Sequence, residues 1–153
     1  MENNLKTLGI SCDKTSFQWC VISIDVSGMT LVDRGKSGVP ANSSRGAELL
    51  WLFLEIQNLA GTFLPDRAVL KRAETGGSGR SAPLDHAEMD GVALAALQSK
   101  SVPTESLKWA TISSRLGKRS KTEALEIVQS MSISRGVPKS HLDPLAAAAA
   151  GQK

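Results

Sequence analysis

A short apolar run, Ala68-Val69-Leu70, leads through Lys71-Arg72-Ala73-Glu74 and Thr75 into a glycine cluster, Gly76-Gly77-Ser78-Gly79-Arg80, and a helical pattern follows. An apolar run of this length, bounded by glycine and followed by a helix, reads as a central strand of an α/β sheet. Such sheets bind ligands at the ends of their strands. Glu74 is then a lone carboxylate at a strand end, at the mouth of a basic, glycine-rich loop. The plainer reading of Glu74 is a solvated carboxylate beside Lys71 and Arg72.

The chain before this run reads as an antiparallel meander. Leu8, Ile10 and Cys12 alternate with polar residues, Asp13-Lys14-Thr15-Ser16 signals a turn, and Phe17, Trp19 and Val21 resume the alternation. Ser27-Gly28 turns into a third strand at Met29-Thr30-Leu31-Val32, and the segment from Gly35 to Ser44 reads as a loop. Ser43 or Ser44 can cap a helix carrying Leu49, Leu50, Leu52, Phe53, Ile56 and Leu59, with Gly61 as its stop. A helix crossing from the third strand to the fourth in a right-handed connection sets the fourth parallel to the first.

After the glycine loop, Ser81-Ala82-Pro83 opens a helix with Leu84, Ala87, Gly91, Leu94 and Leu97 on one face. Gly91 there implies close helix-to-sheet packing, or is simply tolerated. Leu107-Lys108-Trp109-Ala110-Thr111-Ile112 reads as a fifth strand. Ser120-Lys121-Thr122-Glu123 has capping-box spacing and opens a helix with Leu125, Val128 and Met131 inward. Residues 138–150 form a small alanine-rich helix. The order β-β-β-α-β-α-β-α-α predicts one α/β domain over residues 1–153, its core at about 5–151, with a mixed five-stranded sheet and helices on both faces.

That order is similar to the RNase H-like fold, and several local sequences resemble the RuvC-type Holliday-junction resolvases. The first strand of that branch reads apolar-Gly-Ile-Asp, and here it reads Leu8-Gly9-Ile10-Ser11. Its fourth strand ends in a catalytic Glu, matched by Glu74, and a following helix is matched by Gly91-Val92-Ala93-Leu94-Ala95. Its Gly-x-x-x-Lys turn is matched by Gly117-Lys118-Arg119-Ser120-Lys121, and its last-helix Asp by Asp143, followed by Pro144-Leu145-Ala146-Ala147. The Lys-Arg-Ala run before a glycine loop also resembles small bacterial proteins of this fold that carry no known function.

The resemblance implies an Mg²⁺- or Mn²⁺-dependent endonuclease, in which carboxylates hold two divalent ions about 4 Å apart. Hard cations need oxygen ligands, so Asp and Glu are the required residue types. Here Ser11 stands in place of the first-strand Asp, and Ser140 precedes Asp143 where a second acid is often found. Two outcomes stay open: a degenerate site without a metal, or a relocated one using Glu74, Asp143 and Asp13 as catalytic and metal-binding residues. Asp13, two residues past Ser11, is either a substitute ligand or an ordinary turn residue. His141 is either a base or ligand or a surface residue, and His86 reads as structural.

The formal charge is only +3, so a polyanionic partner must be argued from where the cations lie. Arg67, Lys71, Arg72 and Arg80 bracket Glu74, and Arg115, Lys118, Arg119 and Lys121 form a run without acids. These are the expected contacts to the phosphate backbone of DNA or RNA, the alternative being solvated loops. The glycine cluster lacks a Gly-Lys-Ser/Thr end, so it matches no nucleotide-binding motif. Trp19, Trp51 and Trp109 fit core positions. With no Tyr and three Phe, an aromatic platform for stacking bases is poorly supported. Cys12 and Cys20 read as reduced, partly buried small residues, and no membrane span or secretory signal is evident, so a cytoplasmic location is expected. The RuvC branch is commonly dimeric, which implies a homodimer. A protein-interaction module that kept the fold and lost nucleic acid is the remaining reading.

Overall fold

The structure, a computed structural model, describes residues 4–74 and 82–151. Its strands are β1 (Leu5–Cys12), β2 (Ser16–Asp25), β3 (Gly28–Gly38), β4 (Arg67–Lys71) and β5 (Thr104–Leu107). They form one sheet in the order β3-β2-β1-β4-β5. The first three strands pair antiparallel, whereas β4 runs parallel to both β1 and β5. The helices are α1 (Arg45–Phe63), α2 (Ala82–Ser99), α3 (Trp109–Arg115), α4 (Lys121–Ser130) and α5 (Leu142–Ala150). The mixed five-stranded sheet with helices on both faces is therefore what the periodicity predicts.

Alternation along the central strands divides the core into two layers. Leu8, Ile10, Ala68 and Leu70 pack with Leu52 and Ile56 of α1 and Met89, Ala93 and Leu97 of α2. Cys20, Ile22 and Val69 face the other way, onto Trp109, Ile112, Val128, Leu145 and the alanines 146–150. Gly9 lies on this second face, and a Cβ there would fall 2.1 Å from the Pro144 carbonyl oxygen and 2.9 Å from Ala148 Cβ. The missing side chain is what lets α5 rest directly on β1. This contact brings Asp143, the residue before Pro144, to the end of the sheet near Ser11.

Local signals mark several boundaries. Ser44 caps α1, accepting from the Ala47 N–H at 3.2 Å. Ser120 caps α4, accepting from the Glu123 N–H at 3.2 Å, while the Glu123 carboxylate reaches back to the Arg119 N–H at 3.1 Å.

Five expectations are corrected. The strand expected over 107–112 is a helix from Trp109 onward, because Trp109, Ile112 and Ser113 are buried together at helical spacing. The strand hydrogen-bonded to β4 lies just before it. Gly61 does not stop α1, which continues to Phe63; Leu64, at φ 49°, closes it by donating its N–H to the Ala60 carbonyl. Gly35 is not in a loop but in β3, under the Trp19 ring, which a Cβ would meet at 2.8 Å. Gly91 faces open space, so its close-packing reading falls and tolerance remains. Finally, β4 ends at Lys71, which places Glu74 three residues beyond the strand.

Candidate functional site

A cleft of about 380 Å³ opens at the carboxyl ends of β1 and β4, lined in part by Ser11, Asp13, Lys71, Glu74, Trp109 and Asp143. Each wall has a distinct origin. Ser11 and Lys71 are the last residues paired between β1 and β4, standing opposite one another in the parallel ladder. Asp13 follows β1 in the hairpin, where its N–H donates to the Ser16 carbonyl and its Oδ2 accepts from Ser16 Oγ at 3.2 Å. Asp13 thus makes the turn and also lines the cleft. Asp143 enters from α5.

Glu74 is held by two partners. Lys71 Nζ lies 2.9 Å from its Oε2, and the same oxygen accepts from the Trp109 N–H at 3.3 Å, one of the free donors at the start of α3. Burial works to raise its pKa, but Lys71, the Trp109 N–H and the nearby Lys108 charge outweigh burial and hold it below the ordinary carboxylate value. Asp143 shifts the other way. Its burial, aided by Asp13, outweighs the attraction of Lys121 and Lys71 and pushes its pKa up.

The Trp109 ring has two ammonium groups over it. Lys71 Nζ stands 5.6 Å from its ring centroid and Lys121 Nζ 5.1 Å, within range for cation–π attraction. The tryptophan is a core residue as expected, and it also lines the cleft.

Of the cations singled out in the sequence, Lys71, Arg72 and Lys121 line this cleft. Arg115 instead pairs with Glu105 at 2.6 Å. Lys118 borders a separate hollow with Glu123 and Glu126, and Arg119 is exposed at the start of α4. Arg67 lies at the opposite end of β4, donating to the Gly151 carbonyl at 2.6 Å, so it does not bracket Glu74. Arg80 and the glycine cluster lie outside the described residues. His141 does not line the cleft; burial first, then the charges of Arg34 and Lys36, lowers its pKa.

Sequence reasoning passed over Asp90 and read His86 as structural. Asp90 of α2 is 7% exposed, and its Oδ2 accepts from the Ala73 N–H at 2.6 Å, pinning the loop that presents Glu74. His86, one helical turn earlier, lines the cleft. The missed signal was a carboxylate beside Met89 and in line with Ala93 and Leu97, on a helix face that is otherwise apolar.

The donor set was tested against the pair of divalent ions that the resemblance implies. Among the described residues no group of three or more His, Cys, Asp and Glu side chains could hold a metal ion. Residues 75–81, outside the described part, contain none of these residue types. The paired strand ends offer a hydroxyl and an ammonium, and Glu74 is already engaged by that ammonium. The residues present do not fit a two-metal centre.

No family model and no curated protein matches the sequence. Solved structures do match the fold. The Thermus thermophilus RuvC structure superposes with a TM-score of 0.80, covering 95% of this chain and 92% of that chain at 15% identity. The chain has the RuvC fold. T. thermophilus RuvC in complex with Holliday junction substrate gives 0.78, also at 15% identity, over 95% of this chain and 92% of that one. The yeast mitochondrial Holliday junction resolvase gives 0.55 at 13% identity, covering 94% of this chain and 75% of that one. The cleft described above thus lies at the strand ends of a RuvC fold, among described residues that include no helix long and apolar enough to cross a membrane.

Proposed function

We propose that this chain is a RuvC-like domain that binds nucleic acid through its phosphate backbone and does not depend on metal-assisted cleavage. The observation that carries this reading is the convergence of Lys71, Arg72 and Lys121 on the cleft at the β1 and β4 ends. Arg119, exposed just before α4, extends the proposed contact surface beyond it. Contacts of this kind release counterions, so affinity falls steeply with salt and varies little with sequence.

Branched DNA is the first ligand to test, because the matched T. thermophilus RuvC was solved with a Holliday junction substrate. Fluorescence anisotropy of labelled junction, linear DNA and RNA across a salt series is the measurement. A linear fall of log affinity with log salt is expected. Salt-independent binding, or none, would instead favour a protein-interaction module.

One observation favours a second reading: Asp13, Glu74 and Asp143 all line the cleft. In that reading the chain is a divalent-metal-dependent endonuclease with a relocated site. Mn²⁺-dependent cleavage of the junction that disappears in Glu74→Gln would establish it; no cleavage by the wild type would remove it.

A further inference from the structure

The central strand ends carry the largest departure from a metal site. Lys71 stands opposite Ser11 in the β1–β4 ladder, and its side chain is only 13% exposed. An ammonium taken this far out of water needs partners. Lys71 has Glu74 Oε2 at 2.9 Å and the Trp109 ring face at 5.6 Å. Its charge also acts on Asp143 and on Asp90 beneath the loop. Glu74 is the carboxylate in contact with this lysine, and Asp13 and Asp143 line the same cleft.

We propose that the Lys71 ammonium is a resident cation that takes the place of divalent metal in this cleft, leaving it to receive a phosphodiester without one. The nature of the anion rests on the nucleic-acid reading above; the role of Lys71 rests on the cleft geometry alone. A divalent ion entering among these carboxylates would meet a like charge already bound to Glu74. Such an ion must displace the lysine or stay out. Lys121, also over the Trp109 ring, is exposed where Lys71 is not and is the group placed to meet an incoming phosphate.

The test is a Mn²⁺ titration of the full chain by calorimetry, without nucleic acid. The samples are the wild type, Lys71→Arg, Lys71→Met and the double variant Ser11→Asp with Lys71→Glu, each checked for cooperative melting. The wild type and Lys71→Arg are expected to show no binding at millimolar Mn²⁺. Lys71→Met and the double variant, relieved of the ammonium, should bind roughly tenfold more tightly or better. The proposal is overturned if the wild type binds Mn²⁺ as tightly as Lys71→Met, or if the folded double variant binds no better than the wild type. Should Lys71→Met fail to fold, Lys71→Gln, which also removes the charge and adds no carboxylate, takes its place.

A second arm compares wild-type affinity for labelled junction DNA in EDTA and in Mg²⁺. Equal affinities are expected, and a strict Mg²⁺ requirement would overturn the metal-free role. Absence of DNA binding in both, with Mn²⁺ binding gained on removing Lys71, would retain the resident cation and remove the nucleic-acid reading.

Discussion

Asp90 supports the cleft from below. Its Oδ2 takes the Ala73 N–H at 2.6 Å, while its buried Oδ1 has no hydrogen-bond partner of ordinary geometry among the described residues. The adjacent Cys12 thiol is held protonated by burial first and by the charges of Asp90 and Asp13 next. Asp90→Ala strands the Ala73 N–H, a loss of about 1–3 kcal/mol, whereas Asp90→Asn keeps an acceptor oxygen there. Thermal melts should therefore show the larger drop for alanine; equal drops would mean the hydrogen bond is unimportant. Glu74 and Asp143 have opposite acid signatures. Glu74 titrates low in the fold, so its contribution is present above the unfolded carboxylate pKa and is lost as pH falls through the folded one. Asp143 titrates high, so the native state binds more protons, and stability declines as pH rises from its unfolded pKa through its folded one. Melting curves from neutral to acid pH should show Glu74→Gln less stable than wild type at neutrality, with the deficit fading in acid. Asp143→Asn should be more stable than wild type at neutrality, with that gain fading in acid. Parallel curves for the two variants would contradict these assignments.

The packing of α5 on β1 makes the cleft possible. Pro144 is tolerated in the first helical turn, where its missing N–H costs little, and the buried alanines 146–150 keep the helix close to the sheet. Gly9 completes the fit, since the nearest obstacle to a side chain there is backbone, at 2.1 Å. Gly9→Ala must move α5 or bend β1, an overpacking cost of about 1–3 kcal/mol. A lower urea midpoint is the expected result, and an unchanged midpoint would show that α5 has freedom the packing does not suggest. The helix at Trp109–Arg115 explains why a strand was expected over 107–112. Leu107, Trp109 and Thr111 satisfy a period of two, while Trp109, Ile112 and Leu116 satisfy a helical period, and so short a stretch does not discriminate. Long-range pairing decides: Lys71 lies opposite Leu107 in the β4–β5 ladder, the Arg72 N–H donates to the Leu107 carbonyl at 3.0 Å, and the chain then turns so that Trp109 can cover the cleft.

Across the whole molecule, a formal charge of +3 matters less than its placement. Arg115 is matched by Glu105, and Arg67 is tied to Gly151 far from the cleft. Arg72 and Lys121 remain at its rim. If each meets one phosphate, Arg72→Gln and Lys121→Gln should each reduce the salt slope of DNA binding by about 1. Anisotropy titrations at several salt concentrations read this directly, and slopes equal to the wild type's would place the nucleic acid elsewhere.

What could be read from the chain alone came from short-range order. Alternation of Leu8, Ile10 and Cys12, the Ser44 and Ser120 caps, and the helical spacing of Leu52 and Ile56 are written within a few residues of one another, because strand and helix periods are local properties. The absence of an acid at Ser11 was equally visible, and so was the order of elements that implies the mixed sheet. Register was not. Whether Lys71 or Glu74 stands opposite Ser11 depends on how far β4 slides along β1, and a shift of one residue would send every side chain to the other face. Packing of distant segments settled it: Gly9 under Pro144, Val69 against the α5 face and Asp90 under Ala73 together place an ammonium, and not a carboxylate, at the centre of the cleft.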